Sequence, residues 1–117
     1  MKTFGTTVTF LKRFDGALIG YRACGHSGYA EAGKDIVCAA ISALTQSTLN
    51  GLKNILKVPV MFEQDDDGAF IEAMLTPEAS EAQIQQAQLL LLTLQEGLQA
   101  IQRETPRNLR IIFKERR

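Results

Sequence analysis

The sequence predicts an α+β fold of two layers, in which helices pack on one face of a mainly antiparallel sheet. Three observations carry this prediction: short segments with alternating apolar residues, two longer segments of helical character, and turn residues between them. In chain order these segments read ββαββαβ. The chain has 117 residues, of which 45% are hydrophobic, so it can bury one core, and we expect a single domain over residues 1–117.

Five segments have the alternation and the flanking turn residues of strands. The predicted strands cover residues 4–10, 17–24, 58–62, 69–75 and 109–113. Phe14-Asp15-Gly16 marks a turn between the first two, so a β-hairpin opens the fold. The acidic segment 65–68 lacks the spacing and the terminal Glu of a calcium-binding loop, and we predict a hairpin turn there instead.

Two helices are predicted between the strands. The first begins after Asp35, which reads as its N-cap, and follows the apolar, Ala-rich segment 36–56. The second runs over 76–104, with Thr76 as its N-cap and Pro77 in its first helical position. Its centre, 89–94, is apolar nearly all round, so it is either sandwiched within the fold or partly in contact with a second chain. Of these alternatives we favour a homodimer.

The segment 25–42 sets the only histidine of the chain, His26, close in sequence to Cys38 at the start of the first helix. In the first turn of a helix, backbone N–H groups and the helix dipole favour a thiolate over a thiol. A carboxylate at Asp35 acts in the opposite direction, which makes His26 important as proton acceptor and ion-pair partner. The spacing therefore permits a catalytic pair of His26 and Cys38 but does not require one.

Other interpretations of these residues stay open on the residues alone. Cysteine is often simply buried, and a single histidine in a loop is often a polar surface residue. A zinc site of Cys24, His26 and Cys38 is disfavoured because the sequence has no second close pair of ligands. A Cys24–Cys38 disulfide is disfavoured because the N-terminal residues have no export-signal pattern. We expect reduced thiols in the cytoplasm, no metal and no cofactor.

The residues from Gly25 to Ser42 also resemble a known family. They read G-H-S-G-Y-A, a short loop, and then G-K-D-I-V-C-A-A-I-S. This is similar to the ribosomal-processing cysteine protease family Prp, whose members carry G-H-[AS]-G-Y-A followed by G-x-D-I-V-C-A-A-[IV]-S. The resemblance implies a homodimeric cysteine endopeptidase that removes an N-terminal extension from bacterial large-subunit ribosomal protein twenty-seven.

Carried over by matched position, the resemblance makes Cys38 the nucleophile and His26 the general base. Asp35 matches the acidic position of the family, where it either orients His26 or only caps the helix. Ser42 lies one helical turn after Cys38, so it either lines the cleft or is simply a small polar helix residue. Backbone N–H groups at the helix start, including that of Cys38, are the candidates for an oxyanion hole.

Gly25, Gly28 and Gly33 are expected to serve the backbone conformation of the loop between the dyad residues. Thirteen basic and thirteen acidic side chains give a formal net charge of zero. The chain therefore lacks the excess positive charge that attracts nucleic acid, and the expected partner is a protein tail. No segment has the run of about 20 apolar residues that a membrane span requires. The alternative function is a non-catalytic, ribosome-associated module that binds a peptide without covalent chemistry.

Overall fold

A computed structural model describes residues 5–25, 36–65 and 70–116 of the chain. Its elements, in chain order, are β1 (Thr6–Lys12), β2 (Leu18–Cys24), α1 (Ile36–Asn50), a π-helical turn (Gly51–Ile55), β3 (Val60–Gln64), β4 (Phe70–Leu75), α2 (Glu81–Glu104) and β5 (Leu109–Glu115). The predicted α+β class and the order ββαββαβ are confirmed.

The five strands form one mixed sheet in the order β3-β4-β2-β1-β5. Three of its four pairings, β1 with β2, β2 with β4 and β3 with β4, are antiparallel, as predicted. The fourth pairing joins β5 to β1 in parallel. It is parallel because α2, which packs on β2 and β5, carries the chain back along the sheet before β5 begins.

Alternate residues of the strands form the core beneath the helices. Val8, Phe10, Tyr21, Ala23 and Ala73 are buried on this face. The helical layer contributes a matching set of buried residues: Val37, Ile41, Leu49, Leu52, Ile84, Ala87, Leu91, Leu94 and Leu98. Sheet and helices thus share one apolar cluster, while a single domain over all of 1–117 stays a prediction.

The two helices run antiparallel and touch at glycines. A Cβ on Gly51 would lie 2.8 Å from Leu90 Cδ1, and one on Gly97 would lie 3.0 Å from Leu44 Cδ1. The residue number rises along one helix as it falls along the other, which gives the antiparallel direction. Because each glycine has no side chain, a leucine of the opposite helical segment can pack closely against its backbone.

The leucine-rich centre of α2 is therefore only partly covered by the fold. Leu91 and Leu94 are buried in the core, and Leu90 packs against Gly51 of the π-helical turn. Leu89 and Leu92 remain 75% and 47% exposed. None of the helices that the structure describes has the length and the hydrophobicity to span a membrane.

The prediction of Thr76 as the N-cap of the second helix is wrong. The N-cap is Ser80, whose hydroxyl oxygen accepts from the Gln83 N–H at 3.1 Å while its own N–H donates to Gln83 Oε1 at 2.9 Å. Thr76 instead donates its N–H to the Pro59 carbonyl and accepts from the Ala79 N–H, at 3.1 and 3.0 Å. These bonds form a turn that separates β4 from α2.

The structure describes the first helix from Ile36 onward, and its regular part is shorter than the predicted 36–56. It ends at Asn50 and continues as the π-helical turn Gly51–Ile55, closed by the bond from the Leu56 N–H to the Gly51 carbonyl at 2.9 Å. This wider turn includes Gly51, the glycine that faces Leu90 of α2.

Candidate active site

Cys38 is the third residue of α1 and its side chain is half-buried. Four of the predicted site residues, His26, Gly28, Gly33 and Asp35, fall in 26–35, outside the described residues. The dyad and the helix cap therefore stay predictions. What the structure does describe is the surroundings of Cys38, Ser42 and Gly25.

These three predicted residues lie together at one end of the sheet. They line a small cavity of about 10 Å³, with Thr6 and Ala23 from the adjoining ends of β1 and β2. Antiparallel pairing explains this, because the start of β1 and the end of β2 meet at the same edge. The first turn of α1 thus lies next to the start of β1 and the end of β2. The predicted catalytic loop follows β2 in the sequence.

Gly25 has a backbone that only glycine fits. Its φ is +92°, and a Cβ there would lie 2.7 Å from the carbonyl oxygen of Gly5. The Gly25 carbonyl oxygen also accepts a hydrogen bond from the buried Thr6 hydroxyl at 3.2 Å. The expectation that Gly25 serves backbone conformation therefore has a structural cause, a left-handed φ combined with a close approach of two chain segments.

Ser42 lies one turn after Cys38 on the same face of α1, and it is half-buried. Thr45, one turn further, donates its hydroxyl to the carbonyls of Ile41 and Ser42 at 3.0 and 3.3 Å, so its hydroxyl is satisfied within the helix. Ser42 lines the cavity of Cys38 and also the larger cavity next to it.

The larger cavity, of about 290 Å³, continues the small one along α1. Ser42, Thr45 and Ile71 line both, so the two form one groove. Its far part adds Gln46 from α1 and Gln64 from β3, with Asp65 and Phe70 at the strand ends. The sequence interpretation missed these residues, because they come from separate elements and no local pattern connects them.

A buried hydrogen bond fixes α1 on the sheet beneath this groove. The Tyr21 hydroxyl donates to the carbonyl oxygen of Thr45 at 2.7 Å, and the Tyr21 side chain has no exposed surface. Burial raises the pKa of Tyr21 well above its usual range, so the hydroxyl stays a neutral donor. Because a buried hydroxyl without a partner would be unfavourable, this hydrogen bond helps to hold Thr45 of α1 over Tyr21 of β2.

Cys24 does not join this site. It neighbours Ala23 on β2, and Ala23 faces the helices, so strand alternation directs Cys24 to the opposite face of the sheet from Cys38. Cys24 and Cys38 are both thiols, not joined in a disulfide. Within 5–25, 36–65 and 70–116, no three His, Cys, Asp or Glu side chains are grouped closely enough to hold a metal ion.

Comparison with known proteins relates the chain to one group. A curated Bacillus subtilis relative, the ribosomal processing cysteine protease Prp, is 28% identical over 88% of this chain and 92% of its own length. The Staphylococcus aureus protein of the same name is 30% identical over 77% of this chain and 81% of its own length.

Solved structures give the same relationship. A crystal structure of the S. aureus ribosomal processing protease Prp with a covalently linked product peptide has a TM-score of 0.82 and 28% identity, over 93% of this chain and 99% of that one. A second structure of that protease, with a substrate peptide, has a TM-score of 0.76 and 27% identity over the same shares of both chains. The family model for the cysteine protease Prp matches residues 6–110. The chain therefore belongs to the cysteine protease family Prp.

Proposed function

We propose that this cysteine protease removes the N-terminal extension of bacterial large-subunit ribosomal protein twenty-seven, through a dyad of Cys38 and His26 and a thioester acyl-enzyme. The observation that carries the proposal is the position of Cys38, a half-buried thiol in the first turn of α1 at the end of a groove along the helix. The ribosomal processing activity named for the B. subtilis and S. aureus relatives supports the substrate class.

In the proposed first step, His26 takes the proton of the Cys38 thiol, and the sulfur attacks the carbonyl carbon of the scissile peptide bond. The N–H groups of the first turn of a helix point out of its N-terminal end, where they can stabilise the oxyanion that forms. The intermediate collapses as the C–N bond breaks, and the imidazolium of His26 gives its proton to the leaving amine. The extension remains bound to Cys38 as a thioester.

In the second step, His26 takes a proton from a water molecule, whose oxygen attacks the thioester carbonyl. The carbon–sulfur bond breaks, the extension leaves as a carboxylic acid, and the proton returns to Cys38. Asp35 either orients His26 in both steps or acts only as the helix cap. Ser42, which lines the cavity of Cys38, is proposed to contact the substrate next to the scissile bond. Gly25, Gly28 and Gly33 are proposed to shape the loop that carries His26.

We also infer a homodimer in the cytoplasm. The exposed leucines of α2, Leu89 and Leu92, support a second copy as the partner, because they leave apolar surface uncovered beside the buried centre of the helix. Sedimentation velocity of the wild type and of the double variant Leu89→Glu/Leu92→Glu tests this. A wild-type dimer that the variant converts to monomer agrees with the proposal, and a wild-type monomer at all concentrations contradicts it. Phe14→Glu, an exposed apolar position on the β1–β2 hairpin, is the matched control.

The proposed reaction is tested by incubating ribosomal protein twenty-seven, with its N-terminal extension, with each variant and reading intact masses over time. Wild type is expected to release the extension, and both Cys38→Ala and His26→Ala are expected to leave it uncut. Cys24→Ala removes the other thiol, on the opposite face of the sheet, and is expected to cleave like wild type. Cleavage by Cys38→Ala, or none by wild type, would contradict the proposal.

A further inference from the structure

We propose that a cavity at the opposite end of the sheet from Cys38 is a second binding site, which takes a small organic acid with an apolar body and one carboxylate. This distal cavity, lined by residues of β2, β3, β4 and the start of α2, has a volume of about 550 Å³. That volume is in the range of small-molecule sites. The distal cavity shares no lining residue with the groove beside Cys38, so the inference does not rest on the proposed function.

The distal cavity is far from the proposed point of cleavage. Thr6, at the start of β1, lines the cavity of Cys38, whereas Arg13, just after the end of β1, lines the distal cavity. Arg13 follows Thr6 by seven positions, which at about 3.3 Å per residue of extended strand corresponds to about 23 Å. A small molecule in the distal cavity therefore does not contact the Cys38 thiol.

The walls of the distal cavity are mostly apolar. Leu75 of β4 and Ile84 of α2 are buried behind it. Ile19 and Met74 are half-buried, and Met61 of β3 is 61% exposed. Removing apolar surface from water is favourable, so a ligand with an apolar body gains free energy by covering these side chains.

A β-bulge places Ile19 in the wall of the distal cavity. The pairing of β1 with β2 shifts after Leu11, which leaves Ile19 as the extra residue of β2. The neighbouring Leu18 is bound by α2, because its N–H donates to Gln88 Oε1 at 2.9 Å and its carbonyl accepts from Gln88 Nε2 at 2.7 Å. These two hydrogen bonds hold the bulge in place, so this wall exists before a ligand binds.

Two arginines line the distal cavity, and only one of them is available to a ligand. Arg13 is paired with Asp15 at 2.7 Å and with Glu81 at 2.8 Å, so its positive charge is already compensated. Arg116 is exposed, and its side chain has no hydrogen bond or ion pair with the residues that the structure describes. A carboxylate on the ligand can therefore accept hydrogen bonds from the Arg116 guanidinium.

Walls and charge together define the class of ligand. Apolar walls disfavour a ligand that is polar throughout, because its polar groups would lose water without gaining partners. The positive charge of Arg116 disfavours a cationic ligand and compensates one negative charge. A straight-chain monocarboxylate has the required combination of an apolar body and a single anionic end.

Octanoate is the probe in the first test, and methionine methyl groups report its binding. Two of the three methionines of the chain, Met61 and Met74, line the distal cavity. Wild-type protein labelled with carbon-13 at the methionine methyl groups is titrated with octanoate, and the NMR signals are assigned with Met61→Leu and Met74→Leu. Both signals are expected to shift saturably, with a dissociation constant of about 5 mM or tighter for a ligand of this size. Signals that do not shift would overturn the inference.

The second test compares octanoate with octylamine, which has the same chain length and the opposite charge. Wild type is expected to bind octanoate more tightly, and Arg116→Gln is expected to lower this preference about 2- to 5-fold, the range of one exposed ion pair. Arg107→Gln is the matched control, since Arg107 is exposed and does not line the distal cavity. An unchanged preference in Arg116→Gln, or an equal loss in Arg107→Gln, would overturn the inference.

Discussion

The Tyr21 hydroxyl donates a 2.7 Å hydrogen bond to the backbone carbonyl oxygen of Thr45, and this bond joins the centre of β2 to the middle of α1. Tyr21 is fully buried among the core residues. Cys38 and Ser42 precede Thr45 on the same helix, so the bond helps to set where both lie relative to the strand ends.

Replacing Tyr21 with Phe removes this bond and keeps the ring that fills the core. The loss of a buried hydrogen bond is expected to lower the free energy of unfolding by about 1–2 kcal/mol. Urea unfolding of wild type and Tyr21→Phe at neutral pH measures the difference. A variant as stable as wild type would show that the bond makes no net contribution.

Gly25→Ala is expected to destabilise the protein more than Gly16→Ala. Both glycines have a left-handed φ, of +92° and +93°, but a Cβ at Gly25 would lie 2.7 Å from the Gly5 carbonyl oxygen, while one at Gly16 meets nothing within 4 Å. Strain alone costs about 1–2 kcal/mol, and the contact with Gly5 adds to it at Gly25. Thermal unfolding compares the two variants, and equal losses would contradict the account of Gly25.

Ser42→Ala is expected to lower kcat/KM for the extension substrate roughly 3- to 10-fold, the range for one hydrogen bond to the peptide. Ser47→Ala is the control, since Ser47 is exposed on α1 and lines neither cavity. Steady-state cleavage rates measure the effect. Equal rates for both variants and wild type would favour the alternative, that Ser42 is simply a small polar helix residue.

The ion pair of Arg13 and Asp15 predicts a pH dependence of stability. Hydrogen bonds from the Arg13 guanidinium, at 3.1 and 2.7 Å, lower the pKa of Asp15 from 3.8 to about 2. A carboxylate with a lowered pKa in the folded state stabilises the fold above its unfolded pKa, and this contribution is lost as the pH falls through the folded value.

Asp15→Asn tests this dependence, because it removes the charge and keeps an oxygen for the Ala17 N–H, which donates to Asp15 Oδ1 at 3.2 Å. Wild type is expected to be the more stable protein at pH 7, and the difference is expected to disappear between about pH 4 and pH 2. Unfolding temperatures measured across this range follow the change. A difference that stays constant down to pH 2 would contradict the assignment.

Local sequence patterns predicted the elements of the fold but not the way they are joined. Alternating apolar residues predicted the strands, and the apolar segment after Asp35 predicted the first helix. The strand order and the parallel pairing of β1 with β5 depend on contacts between distant segments, for which the sequence carries no local signal. Two segments have the residue types of a helix start at α2, namely Thr76-Pro77-Glu78 and Ser80 with Gln83. In the structure Ser80 is the N-cap, while the Thr76 N–H donates to the distant Pro59 carbonyl.

For the candidate site too, the sequence predicted the residues of one local motif and missed those that come from separate elements. Cys38, Ser42 and Gly25 were predicted because they belong to one short motif, and the structure brings these three together. Gln46 and Gln64 were missed, because 17 residues, including the end of α1 and most of β3, lie between them in the sequence. Only packing of α1 against the edge of the sheet brings them to one cavity.

The most direct test of the central claim is to trap the acyl-enzyme. Wild-type protein is mixed with ribosomal protein twenty-seven that carries its extension, quenched in acid at short times, and analysed by intact mass and peptide mapping. The account predicts a transient species heavier than the enzyme by the mass of the extension less one water, with the adduct on Cys38. An adduct on Cys24 or on any other residue, or cleavage with no adduct at any time, would contradict it.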